Sequence, residues 1–217
     1  MKKTTSFWNW FQKNELAFLN ALFLGLDADV VIPLFDKKLR AVSTIIGFEI
    51  AKSPDPGKKS QLVFTACGRR RFFAKITALV RDAPPLEYFS VEALVPPYAG
   101  IEKIREGTDP PIYYRDYHIR VSQLKMALLD YSVARKELKI IVYIPDYDYL
   151  KDYDDLEENI YWIVMEVIGE LAYGKHIKSV QMEQLPPDPE GLCALVELAE
   201  IIAFLYVINS RGKTRVV

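Results

Sequence analysis

The sequence predicts an α+β fold: two related β-β-α-β halves of the split βαβ type sharing one core, with N- and C-terminal helices packed on it. Three observations predict this. A unit of strand, turn, helix, turn and strand is written twice, over Leu62–Val95 and again, with a longer turn, over Leu138–Leu185. Val95-Pro96-Pro97 and Leu185-Pro186-Pro187 end the two copies at an offset of 90 residues, whereas Leu62–Cys67 and Lys139–Ile144 are offset by 77; the difference of 13 is the length of the loop Pro145–Glu157. Half the residues are apolar and 12% aromatic, enough for a continuous interior. The expected organisation is a single domain: pseudo-repeats over residues 42–97 and 119–187, N-terminal helices within 5–38 and a C-terminal helix over 190–209.

The elements follow in order. Thr4–Ser6 offer capping hydroxyls to a helix from Phe7 to about Phe23, with Trp8, Phe11, Phe18 and Leu22 on one face and Glu15 interrupting it. A short helix follows over Asp29–Lys38, with Pro33 tolerated near its first turn. Val42–Ala51 alternates as a strand, Ser53–Lys59 turns, and Leu62–Cys67 returns. The helix Phe72–Ala83 buries Phe72, Ile76, Leu79, Val80 and Ala83 and is stopped by Pro84-Pro85, before a strand over Tyr88–Val95.

Pro96–Tyr117 carries four prolines and no periodicity, and reads as a connection. In the second half, Ile119–Tyr131 reads as a bent or bulged strand and Leu138–Ile144 as its partner. A helix from Leu156 to about Leu171 follows, with Asp154 and Glu157 as a capping box and Gly174 as its C-terminal cap. In each half a right-handed crossover is expected to bring the third strand beside the first.

The 28 basic and 29 acidic residues leave no global field to recruit nucleic acid or an anionic membrane. Cys67 and Cys193 lie in apolar segments and read as reduced, buried small hydrophobes. Polar residues interrupt the N-terminal segment, so it does not read as a signal peptide. Glu197 and Glu200 within Leu192–Ile208 argue for a buried helix over a membrane span, and a cytoplasmic protein is expected.

Phe7-Trp8-Asn9-Trp10-Phe11-Gln12-Lys13-Asn14-Glu15 resembles the opening of a bacterial family of uncharacterised proteins that begin with FWxWFxxNE. Leu62–Gly68, Leu79-Val80, Ala83-Pro84 and Gly169-Glu170-Leu171 are similar to later parts of that family's pattern. The resemblance covers most of the chain. It implies a complete bacterial protein and carries no activity, cofactor or catalytic residue.

Glycine-rich nucleotide signatures and the Gly-x-Ser-x-Gly elbow are absent from the sequence. His118 and His176 stand in separate elements without a Cys-x-x-Cys, so neither a metal site nor a cofactor is expected, and no catalytic residue is named.

Two charge clusters stand out. Gly68, Arg69, Arg70 and Arg71 lead into a helix, where cations oppose the macrodipole; this is a candidate anion site for phosphate or carboxylate. Asp146, Tyr147, Asp148, Tyr149 and Tyr153 set tyrosines among acids on the inserted loop, a pattern suited to a protein partner. The leading expectation is a non-catalytic protein-interaction protein, with a homodimer joining the basic and acidic clusters as one form of it. A small-anion binding module is the alternative, and an enzyme of unrecognised class the third reading.

Overall fold

The computed structural model describes residues 3–53, 55, 57–208 and 214–215, with backbone alone for 207–208 and 214–215. These divide into two units, Met1–Val95 and Pro96–Val217. Helices and mixed sheets make the fold α+β. Among the described residues the buried side chains form two clusters, one within each unit, where the sequence reading joined both halves around one core.

In the first unit, α1 (Lys3–Leu24) and α2 (Ala28–Val42) precede β1 (Gly47–Ala51), β2 (Ser60–Thr65), α3 (Phe73–Arg81) and β3 (Phe89–Ala93). The aromatic stripe of α1 forms because Phe7, Trp8, Phe11 and Phe18 recur at helical spacing, and all four are buried. Phe18 stacks on Phe35 of α2 at 4.2 Å between ring centres, and Phe11 lies 5.6 Å from Phe89 of β3. Truncating one such ring costs about 3–5 kcal/mol. The Trp8 indole N–H donates to the Leu79 carbonyl at 2.9 Å, which satisfies its polar edge and holds α1 to α3.

Glu15, which interrupts the apolar stripe, is buried and accepts the backbone N–H groups of Glu87 and Tyr88. The N-terminal motif is thus spent on packing and capping within this unit.

Several boundaries differ from expectation here: α1 begins at Lys3, so Thr4–Ser6 lie inside it and do not cap it, and β2 ends at Thr65 and not at Cys67. α2 runs on to Val42, and the Ser43 N–H closes it on the Leu39 carbonyl, so β1 begins at Gly47 and not at Val42. Gly47 permits close strand approach: a Cβ there would stand 3.0 Å from the Thr65 methyl. Cys67 follows β2 in a left-handed conformation and is exposed, and Cys193 is half-buried, so neither is the buried small hydrophobe expected.

The second unit opens with α4 (Ile101–Arg105), β4 (Ile112–Tyr113) and β5 (His118–Ile119). β6 (Lys125–Ser132) and β7 (Glu137–Ile144) form a hairpin, followed by α5 (Tyr147–Leu150), α6 (Leu156–Ile168), α7 (Glu170–His176) and β8 (Ile177–Gln184). β9 (Cys193–Ala194), α8 (Leu198–Leu205), β10 (Val207–Ile208) and β11 (Thr214–Arg215) complete it. The predicted strand Ile119–Tyr131 is β5, a 3-10 turn at Val121–Gln123, and β6, whose register shifts between Leu128 and Asp130. The expected helix over 190–209 is a short strand, a 3-10 turn and α8; Asn209 lies outside the described residues.

Strand pairing corrects the split arrangement. β2 pairs antiparallel with β1 and parallel with β3, so the third strand lies beside the second and not beside the first. The same order of pairings occurs in the second unit, with β7 between β6 and β8. β9 extends that sheet along the outer edge of β6.

The helix after the insertion also ends differently. No side-chain cap bond forms at its start, so the Asp154–Glu157 capping box is not made. The chain breaks at Gly169, with φ 80 and ψ 146, and Gly174 lies inside α7. A Cβ on Gly169 would stand 2.8 Å from the Pro97 ring, and the Tyr98 N–H donates to the Glu166 carbonyl at 2.8 Å. The Pro96–Tyr98 segment therefore docks on the end of α6. Leu171, expected at the end of that helix, is in α7 and 48% exposed, because the break resets the helical phase. His176 ends α7 as a satisfied residue, its Nδ1 bonded to the Lys136 carbonyl at 2.9 Å and its ring stacked on Tyr206.

Candidate interaction surface

The inserted loop is ordered by its own sequence. β7 ends at buried Ile144, and Asp146 adopts a left-handed conformation (φ 57) that turns the chain into α5. Aspartate tolerates that conformation better than most side chains. Leu150, the last residue of α5, is buried, and the Asp148 N–H donates to Gln184 Oε1 at 3.1 Å, which ties the loop to the end of β8. Lys151 pairs with Asp148 at 3.0 Å on the surface.

The three predicted tyrosines separate. Tyr147 and Tyr153 pack against the hydrophobic cluster, while Tyr149 is 70% exposed. Tyr153 lies in a row of rings: Tyr114 to Tyr117 at 4.9 Å, Tyr117 to Tyr153 at 5.0 Å, and Tyr153 to Tyr149 at 6.1 Å. Asn159 donates to the Tyr117 hydroxyl at 2.7 Å, and that hydroxyl donates to Asp155 at 3.0 Å. Burial pushes the Tyr117 phenol up, opposed by the Asn159 bond and assisted by Asp155. Burial, with Tyr117 and the nearby carboxylates, pushes Tyr114 up to about 12. These phenols stay neutral donors at physiological pH.

Beside this row lies a cleft of about 430 Å3, walled by Asp116–Arg120 and Gln123 on one side and by Ile144–Asp146, Tyr149 and Leu150 on the other. It opens at the carboxyl end of β7, where the chain leaves a strand with a parallel neighbour, a usual position for binding residues. Asp146 and Tyr149 were legible as candidates; Asp116, His118, Arg120 and Gln123 were not. Asp116 falls near the end of the segment read as a connection, His118 follows it, and Arg120 and Gln123 fall in the predicted strand Ile119–Tyr131, so no single stretch marked them. His118 is exposed with its ring 5.7 Å from Tyr113, and the Arg120 guanidinium donates to the Asp109 carbonyl at 2.8 Å.

The acids around the insertion are exposed: Asp116, Asp146, Asp148, Asp152, Asp154 and Asp155. Residues 145–157 hold six carboxylates and one lysine. The surface is therefore acidic, with an aromatic centre at Tyr149.

The arginine turn belongs to the first unit. Arg69, Arg70 and Arg71 are exposed, and a 3-10 turn at Arg70–Phe72 stands between Gly68 and the first residue of α3. The Arg71 guanidinium lies 4.7 Å from the Phe72 ring centre. Both predicted clusters follow an inner strand of their own sheet, β2 and β7.

No protein-family model matches the chain, and no curated protein or solved structure matches it. Among the described residues, no group of three or more His, Cys, Asp or Glu side chains is placed to hold a metal ion, and no helix is long and apolar enough to cross a membrane.

Proposed function

We propose that this is a non-catalytic protein-interaction protein that receives a basic segment of a partner on the acidic, tyrosine-centred surface around α5. The single observation that carries this reading is Tyr149: an aromatic ring 70% exposed, on the wall of a cleft that Asp116 and Asp146 also line. A two-torsion aromatic supplies contact area at low entropy cost, and the surrounding acids supply orientation and on-rate. The test is NMR titration with a ten-residue Lys/Arg-rich peptide and a Glu-rich peptide of equal length. The expected result is salt-sensitive shifts at residues 116–120 and 146–153 with the basic peptide alone, weakened about tenfold by Tyr149→Ala with Asp146→Asn. Equal response to both peptides, or none, overturns the reading. Light scattering at low and high salt tests the homodimer form.

Anion binding at Gly68–Arg71 is the second reading. It is favoured by three arginines that are exposed together at one turn. Thermal stabilisation by phosphate, sulfate or a carboxylate, abolished when Arg69, Arg70 and Arg71 become Ala, is its expected outcome. Kinship with the bacterial FWxWFxxNE proteins is part of the same proposal, supported by motif residues that the first unit uses for packing.

A further inference from the structure

β8 is the longest edge strand of the two larger sheets: eight residues, against five each in β1 and β3 and two in β9. It holds neither proline nor glycine, and its pairing with β7 is continuous from Ser179 to Gln184. Among the described residues no strand pairs with its outer side, and no loop backbone group bonds to it. Such an edge presents a row of backbone donors and acceptors that one more strand can take up.

A groove of about 540 Å3 runs beside this strand, with Val180, Gln181 and Met182 on one wall and the turn Lys151–Asp154 with Glu157 on the other. Consecutive strand residues point to opposite faces of a sheet, so a groove that touches all three follows the edge and not one face. The opposite wall is acidic. Asp152, Asp154 and Glu157 are exposed, and among the described residues none of them has a cation paired with it. Lys151 is taken up by Asp148 at 3.0 Å. Lys178, the one cation of β8, lies toward the other end of the strand and does not line the groove.

We propose that the basic partner segment adds to this sheet as a strand along β8, with alternate Lys or Arg side chains directed at Asp152, Asp154 and Glu157. This rests on the reading of the α5 surface as a site for a basic partner, and it names the form in which that partner is held. Backbone bonds along the edge supply affinity without regard to sequence, and the acidic wall selects which side chains stand on one face of the added strand. An acidic segment is repelled by the same wall. A basic helix has its backbone groups already bonded within itself and leaves the edge of β8 unmet. A second copy of β8 brings one lysine and one glutamate, and so no net charge to set against the acids.

The test uses the full chain and two ten-residue peptides of equal length and charge, one alternating Lys with Thr and one with Pro-Pro at its centre. The alternating peptide is expected to bind about tenfold tighter, because adjacent prolines remove backbone donors on both sides of a strand while leaving the charge in place. On saturation, alternate amides of β8 between Ser179 and Gln184 are expected to exchange about fivefold more slowly, with backbone NOEs from the peptide to Gln181. Asp152→Asn with Asp154→Asn, both at exposed positions, is expected to weaken the alternating peptide about fivefold. Equal affinity for the two peptides, unchanged exchange along β8, or unchanged affinity in the double variant overturns the proposal. Salt-sensitive binding with any of those results leaves the α5 reading in place, whereas no binding of either peptide overturns both.

Discussion

The Glu15 carboxylate, midway along α1, accepts the backbone N–H of Tyr88 at 3.1 Å and also that of Glu87. It thereby satisfies two donors in the turn between Pro84-Pro85 and β3, where no strand partner is available. Glu15→Ala is expected to destabilise the first unit by about 1–3 kcal/mol, since two partly buried backbone donors lose their carboxylate acceptor together. Because the chain holds two units, a single unfolding midpoint is a poor measure. The check is residue-resolved hydrogen exchange: protection at the Glu87 and Tyr88 amides falls first, and amides of the second unit keep theirs.

Gly169→Ala is expected to cost about 2–4 kcal/mol. The position combines positive φ with extended ψ, a region that side chains avoid. The added methyl would also meet the Pro97 ring at 2.8 Å. Denaturant melts of this variant, beside Gly174→Ala inside α7, separate the two glycines: Gly174→Ala is expected to be neutral or mildly stabilising.

Lys136 sits at φ 58 in the hairpin turn between β6 and β7. A left-handed L-residue carries about 1–2 kcal/mol of strain that glycine lacks, offset by the larger entropy glycine loses on folding. Lys136→Gly is therefore expected to stabilise the second unit by about 0.5–1 kcal/mol. Lys136→Val, β-branched at the same φ, is expected to destabilise it, and paired thermal melts decide the sign.

Alkaline stability follows from Tyr114 and Tyr161. Burial is the first cause at both, and each phenol is pushed up to about 12; a Glu157 hydrogen bond adds to the effect at Tyr161. A raised folded pKa means that the native state holds its proton while the unfolded chain releases it near the ordinary value of 10.0. The contribution is fully present below pH 10 and is lost as pH rises toward 12. Stability of the second unit is expected to fall across that window. Tyr114→Phe should flatten the fall, read from melts between pH 8 and about 11.

Local pattern in the chain reached far. The helical spacing of Phe7, Trp8, Phe11 and Phe18, the alternation over Leu138–Ile144 and the Pro-Pro stops each placed an element, because each signal lies within one stretch of backbone. Of the site, the same reasoning picked out Asp146 and Tyr149, since acids interleaved with aromatics are visible at short range. It could not sort exposed Tyr149 from packed Tyr147 and Tyr153, for burial depends on what stands opposite.

Periodicity carried the element types, the proline-marked ends and the acidic character of the insertion, since these need no knowledge of neighbours. Contacts made across long separations settled the rest: β3 lies beside β2, Gly169 breaks the helix under Pro97, and Asp109 is buried with one oxygen unpaired. Those outcomes depend on which groups approach within a few ångströms after the chain closes on itself, and spacing along the chain does not encode that distance.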